Sequence, residues 1–382
     1  MNSHIKLIKF FALVLALVLA MALGSQAAQA ADRKIIILQA LTGGAAFVGV
    51  PTADGAKFAA DELNARNFLG AGDKIVYEVV DSASARAQAM AAVTRFAAEP
   101  AVLFILGPTT AVEAIPSAGV ANEAKIGMKA LTNAVGLLKA GPWGFISTQP
   151  PATTMPLLGD YAMDVAKVKA CATVYFTDNE AYVDTERIFV EHVEKRGMKI
   201  VDRTGIKQTD SDFSTIATRI VAAKPDCVML FTIGPTAANL AIQLKQAGLS
   251  ASVKLLSQTG VASPALIQIG GAAIEGLTFN SDWIPGGDTP LAKAFAVAYK
   301  AKTGKDADQW AALGYSLMTV VASAVKAAGP NPTRESVRDA MDKTKDVPVV
   351  VGTGKYSYVN RIPTYGTSFL MVKDGKFVPA PK

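Results

Sequence analysis

The residues best placed to do chemistry in this 382-residue chain lie between Val102 and Ala134. A continuous apolar run, Val102 to Leu106, stops at Gly107-Pro108 and delivers two hydroxyls, Thr109 and Thr110. Apolar or small residues then recur at helical spacing (Ala111, Ala114, Ile115, Ala118). The backbone N–H groups around Thr110 and Ala111 therefore open a helix and attract a carboxylate or another anion. A second short run, Gly127 to Leu131, stops at Thr132-Asn133-Ala134. Apolar runs bounded by turn residues suit strands buried on both faces of a parallel sheet, and open α/β sheets bind ligands beyond their strand ends. The chemistry on offer is noncovalent: hydroxyls and amides forming one wall of a small-molecule pocket.

The start of the chain says where that pocket would work. Lys6 and Lys9 form a positive segment, Phe10 to Leu23 is uncharged and apolar, and Ala28-Gln29-Ala30 is a small-residue cleavage site. This is the pattern of a secretory signal peptide, cut before Ala31. The apolar run is shorter than the roughly 20 residues a membrane span needs, and no cysteine near the cut offers a lipid anchor. A soluble periplasmic protein is expected. Without the leader, 36 basic and 32 acidic residues remain, spread with no basic cluster, so no nucleic-acid partner is expected. The length suggests two domains.

Nucleophilic and histidine-based catalysis find no carriers, and for an enzyme working with carboxylates alone no carboxylate pair stands out. The one histidine beyond the leader is His192, in FVEHVEKRG, where a solvated helix face is expected. A Ser-His-Asp triad would have no base, and two cysteines with one histidine cannot build a structural zinc site. There is no G-x-G-x-x-G and no G-x-x-x-x-G-K-[ST]; Gly352-Thr353-Gly354-Lys355 lacks the spacing. No catalytic residue, metal or cofactor is expected, and the protein is read as a binder rather than an enzyme. Cys171 and Cys227 precede the first and third strands of the second unit, which are neighbours in a 2-1-3 order. An exported chain permits a disulfide there, but the demanding geometry makes two free buried thiols the expectation.

The elements that position these residues alternate. Strands are read at 34–38, 74–80, 102–106 and 127–131, with helices at 54–67, 84–99 and about 111–125. After Gly141-Pro142-Trp143 and Gln149-Pro150-Pro151, a second alternation runs from a helix at 154–168 to a strand at 253–257. Strands alternating with helices of this length indicate βαβ units and a parallel sheet. Two doubly wound units are thus legible. Longer helices follow at 290–303 and 307–328, then one with Asn331 as N-cap and Pro332 at its first position. A final hairpin turns at Asp374-Gly375.

Certain residues carry a family likeness: Thr42-Gly43 with Gly49 and Asp54-Gly55-Ala56, Val80-Asp81, Leu106-Gly107-Pro108, Thr177-Asp178 with Tyr182, Asp212-Phe213-Ser214-Thr215, Pro225-Asp226, Lys245 to Leu249, and Glu275-Gly276-Leu277. In their order and spacing, over nearly the whole chain after the leader, the protein resembles the periplasmic solute-binding proteins of ABC importers. Within them it is similar to the leucine/isoleucine/valine-binding branch, with the type I periplasmic binding fold. The resemblance implies an α/β protein of two doubly wound parallel-sheet lobes, joined by a three-crossover hinge that closes on ligand. Lobe 1 would be 31–148 plus 282–352, and lobe 2 would be 149–281 plus 353–382. The crossovers would fall near Ser147-Thr148-Gln149, near Asn280-Ser281-Asp282 and between Gly352 and Tyr358. The implied partners are a small-molecule ligand and the membrane permease subunits of an importer, with the binder itself a monomer. A ligand-sensing receptor of the same fold is the alternative.

Carried over residue by residue, the family's serine falls on Ala111, with Thr110 beside it. Its ligand-carboxylate loop falls on Ala134-Val135-Gly136. Its aromatic contact from the second lobe is Tyr182, and a second aromatic position holds Ile233. The acid that pairs with the ligand ammonium falls on the neutral Thr259, and the first-loop aromatic falls on Val48, with Phe47 adjacent. Thr109, Thr110 and Trp283 are further candidate contacts, and Asp282 and Glu113 are candidate replacement acids. An unpaired ammonium buried in the cleft would cost several kcal/mol. An aromatic or aliphatic carboxylate is therefore expected over leucine, isoleucine or valine.

Overall fold

A computed structural model describes residues 31–70 and 72–381. The leader and its cleavage site lie outside the described residues. The first sheet is parallel, in the order β2-β1-β3-β4-β5, built from β1 (Asp32–Gln39), β2 (Lys74–Asp81), β3 (Val102–Leu106), β4 (Gly127–Ala130) and β5 (Gly144–Ile146). The second holds β6 (Ala170–Phe176), β7 (Lys199–Ile206), β8 (Cys227–Phe231), β9 (Lys254–Ser257) and β10 (Thr278–Ser281), parallel in the order β7-β6-β8-β9-β10. Strands β3 and β8 are buried along their whole length, which is why each reads as an unbroken apolar run. These are the two α/β lobes of the expected fold class.

Between β10 and the last two strands in sequence come β11 (Val347–Pro348), β12 (Lys355–Val359) and β13 (Ile362–Thr364), which form a small antiparallel ribbon. Strands β14 (Ser368–Lys373) and β15 (Lys376–Pro379) then extend the second sheet antiparallel from β10. Residues 353–364 were expected in the second lobe. Instead, Tyr356 and Tyr358 donate to the carbonyls of Ser147 and Ile146, and Arg361 donates to those of Gly141, Gly144 and Leu138. The ribbon therefore packs on the first sheet's edge, and the chain passes to the second sheet at 365–367.

Three other expectations need correction. The third late helix runs Arg334–Asp342 with Thr333, not Asn331, as its N-cap, because Thr333 and Ser336 form a reciprocal capping box. His192 does not stand alone in solvent, since its Nε2 lies 2.6 Å from Asp160 Oδ1. Cys171 and Cys227 are joined in a disulfide; they are direct partners across β6 and β8, with Cα atoms 4.6 Å apart. Register, invisible in spacing alone, is what brings them into reach.

Helix Gln309–Ala327 is the core of the first lobe. It is long and apolar enough to cross a membrane, yet most of it is buried against the lobe. It crosses helix Ala46–Ala65 so closely that a Cβ on Gly55 would meet Ala311 O at 1.9 Å, and one on Gly314 would meet Thr52 O at 2.0 Å. This contact fixes the helix's first residue, Gln309, at the mouth of the cleft between the lobes.

Candidate functional site

The loops at the carboxyl ends of both sheets face each other where the crossovers pass. Asn133 follows β4, Thr148 and Gln149 follow β5, Gln258 and Thr259 follow β9, and Asn280 and Asp282 mark the end of β10. Together with Pro151, Thr154, Met155 and Thr185 these residues enclose a cavity of ≈ 10 Å³, about the room one water centre needs.

Gln309 bridges the lobes across this point. Its Nε2 donates to Thr259 Oγ1 at 2.6 Å, while its Oε1 accepts from Ser281 Oγ at 2.7 Å and from the Asp282 N–H at 3.2 Å. The three crossovers are stitched to one another as well. Gln149 Nε2 donates to Gly366 O, Thr367 Oγ1 to Ser281 O, the Gly352 N–H to Asp282 O, and Tyr365 Oη to Asp282 Oδ2. Burial pushes the Asp282 carboxyl up to about 7, against the opposing pull of the Tyr365 hydroxyl.

The structure gives most of the sequence-derived candidates other work. Thr109 Oγ1 accepts from the Ala40 N–H at 2.7 Å and donates to Gln39 Oε1 at 2.8 Å, tying the end of β1 to the loop after β3. That loop turns at Gly107, whose φ of +137° would bring a Cβ 1.7 Å from Leu38 O, so only glycine fits. Thr110 caps helix Ala111–Glu123 in a capping box, with Glu113 Oε2 accepting from the Thr110 N–H and hydroxyl. Ala111 is buried in the first turn of that helix. The Ala134 N–H donates to Thr132 Oγ1, Val135 is exposed, and Gly136 lies in a 3-10 turn near Ile115.

In the second lobe, Tyr182 packs edge-on against Phe176 with centroids 5.2 Å apart. Burial pushes its hydroxyl to about 12, Gln258 being its polar neighbour. Ile233 ends an extended segment before helix Gly234–Gln246 and packs on the second core. Phe47 is half-buried in the first turn of helix Ala46–Ala65, and Val48 packs on the first core. Trp283 is buried against Phe295 in that core, its indole N–H on Ala307 O. Of these candidates Thr259 borders the cavity, as does the replacement acid Asp282. Asn133 lies in the strand-end loop read as a pocket wall, and Thr148 and Gln149 in the first crossover; Pro151, Thr154, Met155, Thr185 and Gln258 escaped sequence reasoning because residues near strand ends look like ordinary turn formers. Asn280, a polar side chain inside a buried strand, was the one signal left unread.

Among the described residues no group of His, Cys, Asp and Glu is arranged to hold a metal ion.

Comparison with known proteins gives three findings. A family model described as "Periplasmic binding protein" matches residues 33–376. The Leu/Ile/Val-binding protein BraC3 of Rhizobium johnstonii is 28% identical over 353 residues, covering 92% of this chain and 94% of its own. The crystal structure of a leucine-binding protein from Thermotoga maritima superposes with a TM-score of 0.83 at 23% identity, covering 91% of this chain and 97% of that one. At that identity the structural likeness is one of fold.

Proposed function

Since this chain belongs to the periplasmic binding protein family, we propose that it is the substrate-binding component of an ABC importer, capturing a small organic solute between its lobes in the periplasm. The observation that carries this reading is the desolvated slot where strand-end loops of both lobes meet over three stitched crossovers. Such a slot supplies a few fixed polar groups in a dry setting. Closure buries the guest and shapes a surface for the permease subunits. The relative from Rhizobium johnstonii and a homologue from Brucella melitensis, 25% identical, are both named for leucine, isoleucine and valine, which supports an amino acid as cargo.

One observation favours a second ligand class, an aromatic or aliphatic carboxylate. Thr259, where the family's acid falls, is neutral and already accepts from Gln309. Calorimetry with leucine, isoleucine, valine, alanine and threonine, beside phenylacetate and isovalerate, tests both classes. Micromolar binding of any one supports solute capture, and no heat from the whole set argues against it. Small-angle scattering should show a smaller radius of gyration with a binding solute than with the lobes held open.

A further inference from the structure

The ligand's charge can be read from the charge the slot itself carries. Asp282 is 4% exposed at the end of β10, and its carboxylate receives one hydrogen bond, from Tyr365 Oη at 3.0 Å. Two residues earlier, Asn280 is 1% exposed, and its Oδ1 has no partner among the described residues. Both line the same cavity. The glutamine amides nearby are committed: Gln258 Nε2 to Thr232 O, Gln149 Nε2 to Gly366 O, and Gln309 Nε2 to Thr259. None of the described lining residues is Lys or Arg. A buried acceptor left unpaired costs about 1–3 kcal/mol, and a buried carboxylate without a cation costs more. The slot thus holds one acid, one unpaired amide oxygen beside it, and no cationic side chain.

We propose that Asp282 is the specificity-determining acid of this cleft: with Asn280 Oδ1 it receives the protonated amino group of the ligand, so that the cargo is an ammonium-bearing solute. The acid that the family likeness assigns to the Thr259 loop is thereby moved to the crossover after β10. The inference rests on the solute-binding reading given above and selects between its two ligand classes. The titratable groups facing Asp282 are Tyr365, which donates to it, and Tyr356 behind Tyr365. Burial raises both phenols, so both stay neutral near pH 7. The carboxyl titrates near 7, and an ammonium engages only its ionised form. Binding of the ammonium therefore strengthens as pH rises through that region and weakens below it.

The test is calorimetry on the full mature chain with leucine, isoleucine, valine, alanine and threonine, each beside its 2-hydroxy acid counterpart, which exchanges the amine for a hydroxyl. The amino acid that binds should do so on the order of 100-fold tighter than its hydroxy acid, and roughly 30-fold more weakly at pH 5.5 than at pH 8. Asp282→Asn should erase most of both differences. Hydroxy acids binding as well as amino acids would overturn the inference and leave the solute-binding reading standing. So would Asp282→Asn retaining affinity and pH profile. If nothing in the panel binds, the solute-binding reading falls and the inference with it. Should Asp282→Asn fail to fold, Tyr365→Phe serves instead. Loss of its hydroxyl raises the carboxyl further, so the pH midpoint of binding should move upward; an unmoved midpoint overturns the inference.

Discussion

In the second sheet, β6 is tied to β8 by the Cys171–Cys227 disulfide, and the buried Glu186 is met on every side. Its Oε1 accepts from Thr173 Oγ1 at 2.9 Å and Arg203 Nε at 2.7 Å, and its Oε2 accepts from Arg203 Nη2 at 2.5 Å. The parallel part of the first sheet has the same strand order and no covalent tie among the described residues. Its buried titratable group, the amine of Lys129 on β4, is fully enclosed with no hydrogen-bond partner for Nζ among the described residues. Only the rings of Tyr356 and Tyr358 face it, with centroids at 4.1 and 4.8 Å. Equal topology does not imply equal bracing: one lobe satisfies its interior carboxylate, and the other sets its interior amine against aromatic faces beside the hinge.

The comparison breaks most severely at the disulfide. A loop of 56 residues closed in the unfolded chain is worth about 4 kcal/mol. Replacing both cysteines by alanine should lower urea stability by about that amount, and a change below about 1 kcal/mol would mean the bridge adds little to the second sheet. Next comes Arg203→Met, which leaves Glu186 buried without its cation. A loss of about 2–3 kcal/mol is expected, at the low end for broken buried pairs because Arg203 is half exposed.

Lys129→Met should act in the opposite direction, adding about 1–3 kcal/mol, because an unpartnered donor is replaced by an apolar chain of similar length. Burial holds the Lys129 amine well below its ordinary value. The unfolded chain therefore binds the extra proton, and stability rises with pH up to about 10.4. The variant should lose that slope in denaturation curves measured from pH 7 to 10. The smallest effect sharpens the role of the rings. Tyr358→Phe keeps the aromatic face over Lys129 and loses the hydrogen bond to Ile146 O, so a loss of about 1 kcal/mol is expected.

Much of this architecture was legible because buried parallel strands announce themselves as apolar runs between turns. The final hairpin was legible too: Asp374 and Gly375 adopt φ of 51° and 68°, which their types favour. The β12–β13 hairpin makes the same kind of turn with Asn360 and Arg361, at φ of 53° and 63°. No turn rule favours arginine there. Its guanidinium is held by three first-lobe carbonyls, a tertiary reason absent from local sequence. The three-residue strand Gly144–Ile146 was too short to read. The site was less legible than the fold. Residue-by-residue likeness located Thr259 on the cleft, but not that Thr109 and Thr110 would spend their hydroxyls inside the first lobe. The slot's amides come from distant segments that only folding brings together.

The interleaving of segments also sets a timetable. For a chain delivered from its N-terminus, β1 to β5 appear first, yet the helix Gln309–Ala327 that covers them arrives only after β6 to β10 of the second sheet. Strand β10 in turn waits for β14 to cover its edge. Neither half can finish before the other has begun. Until Ser368–Lys373 arrives, β10 presents an open strand edge, the kind of surface that recruits other chains. Late delivery is thus the interval in which this molecule most needs a holding partner, and a chain stopped before residue 365 would remain in that interval.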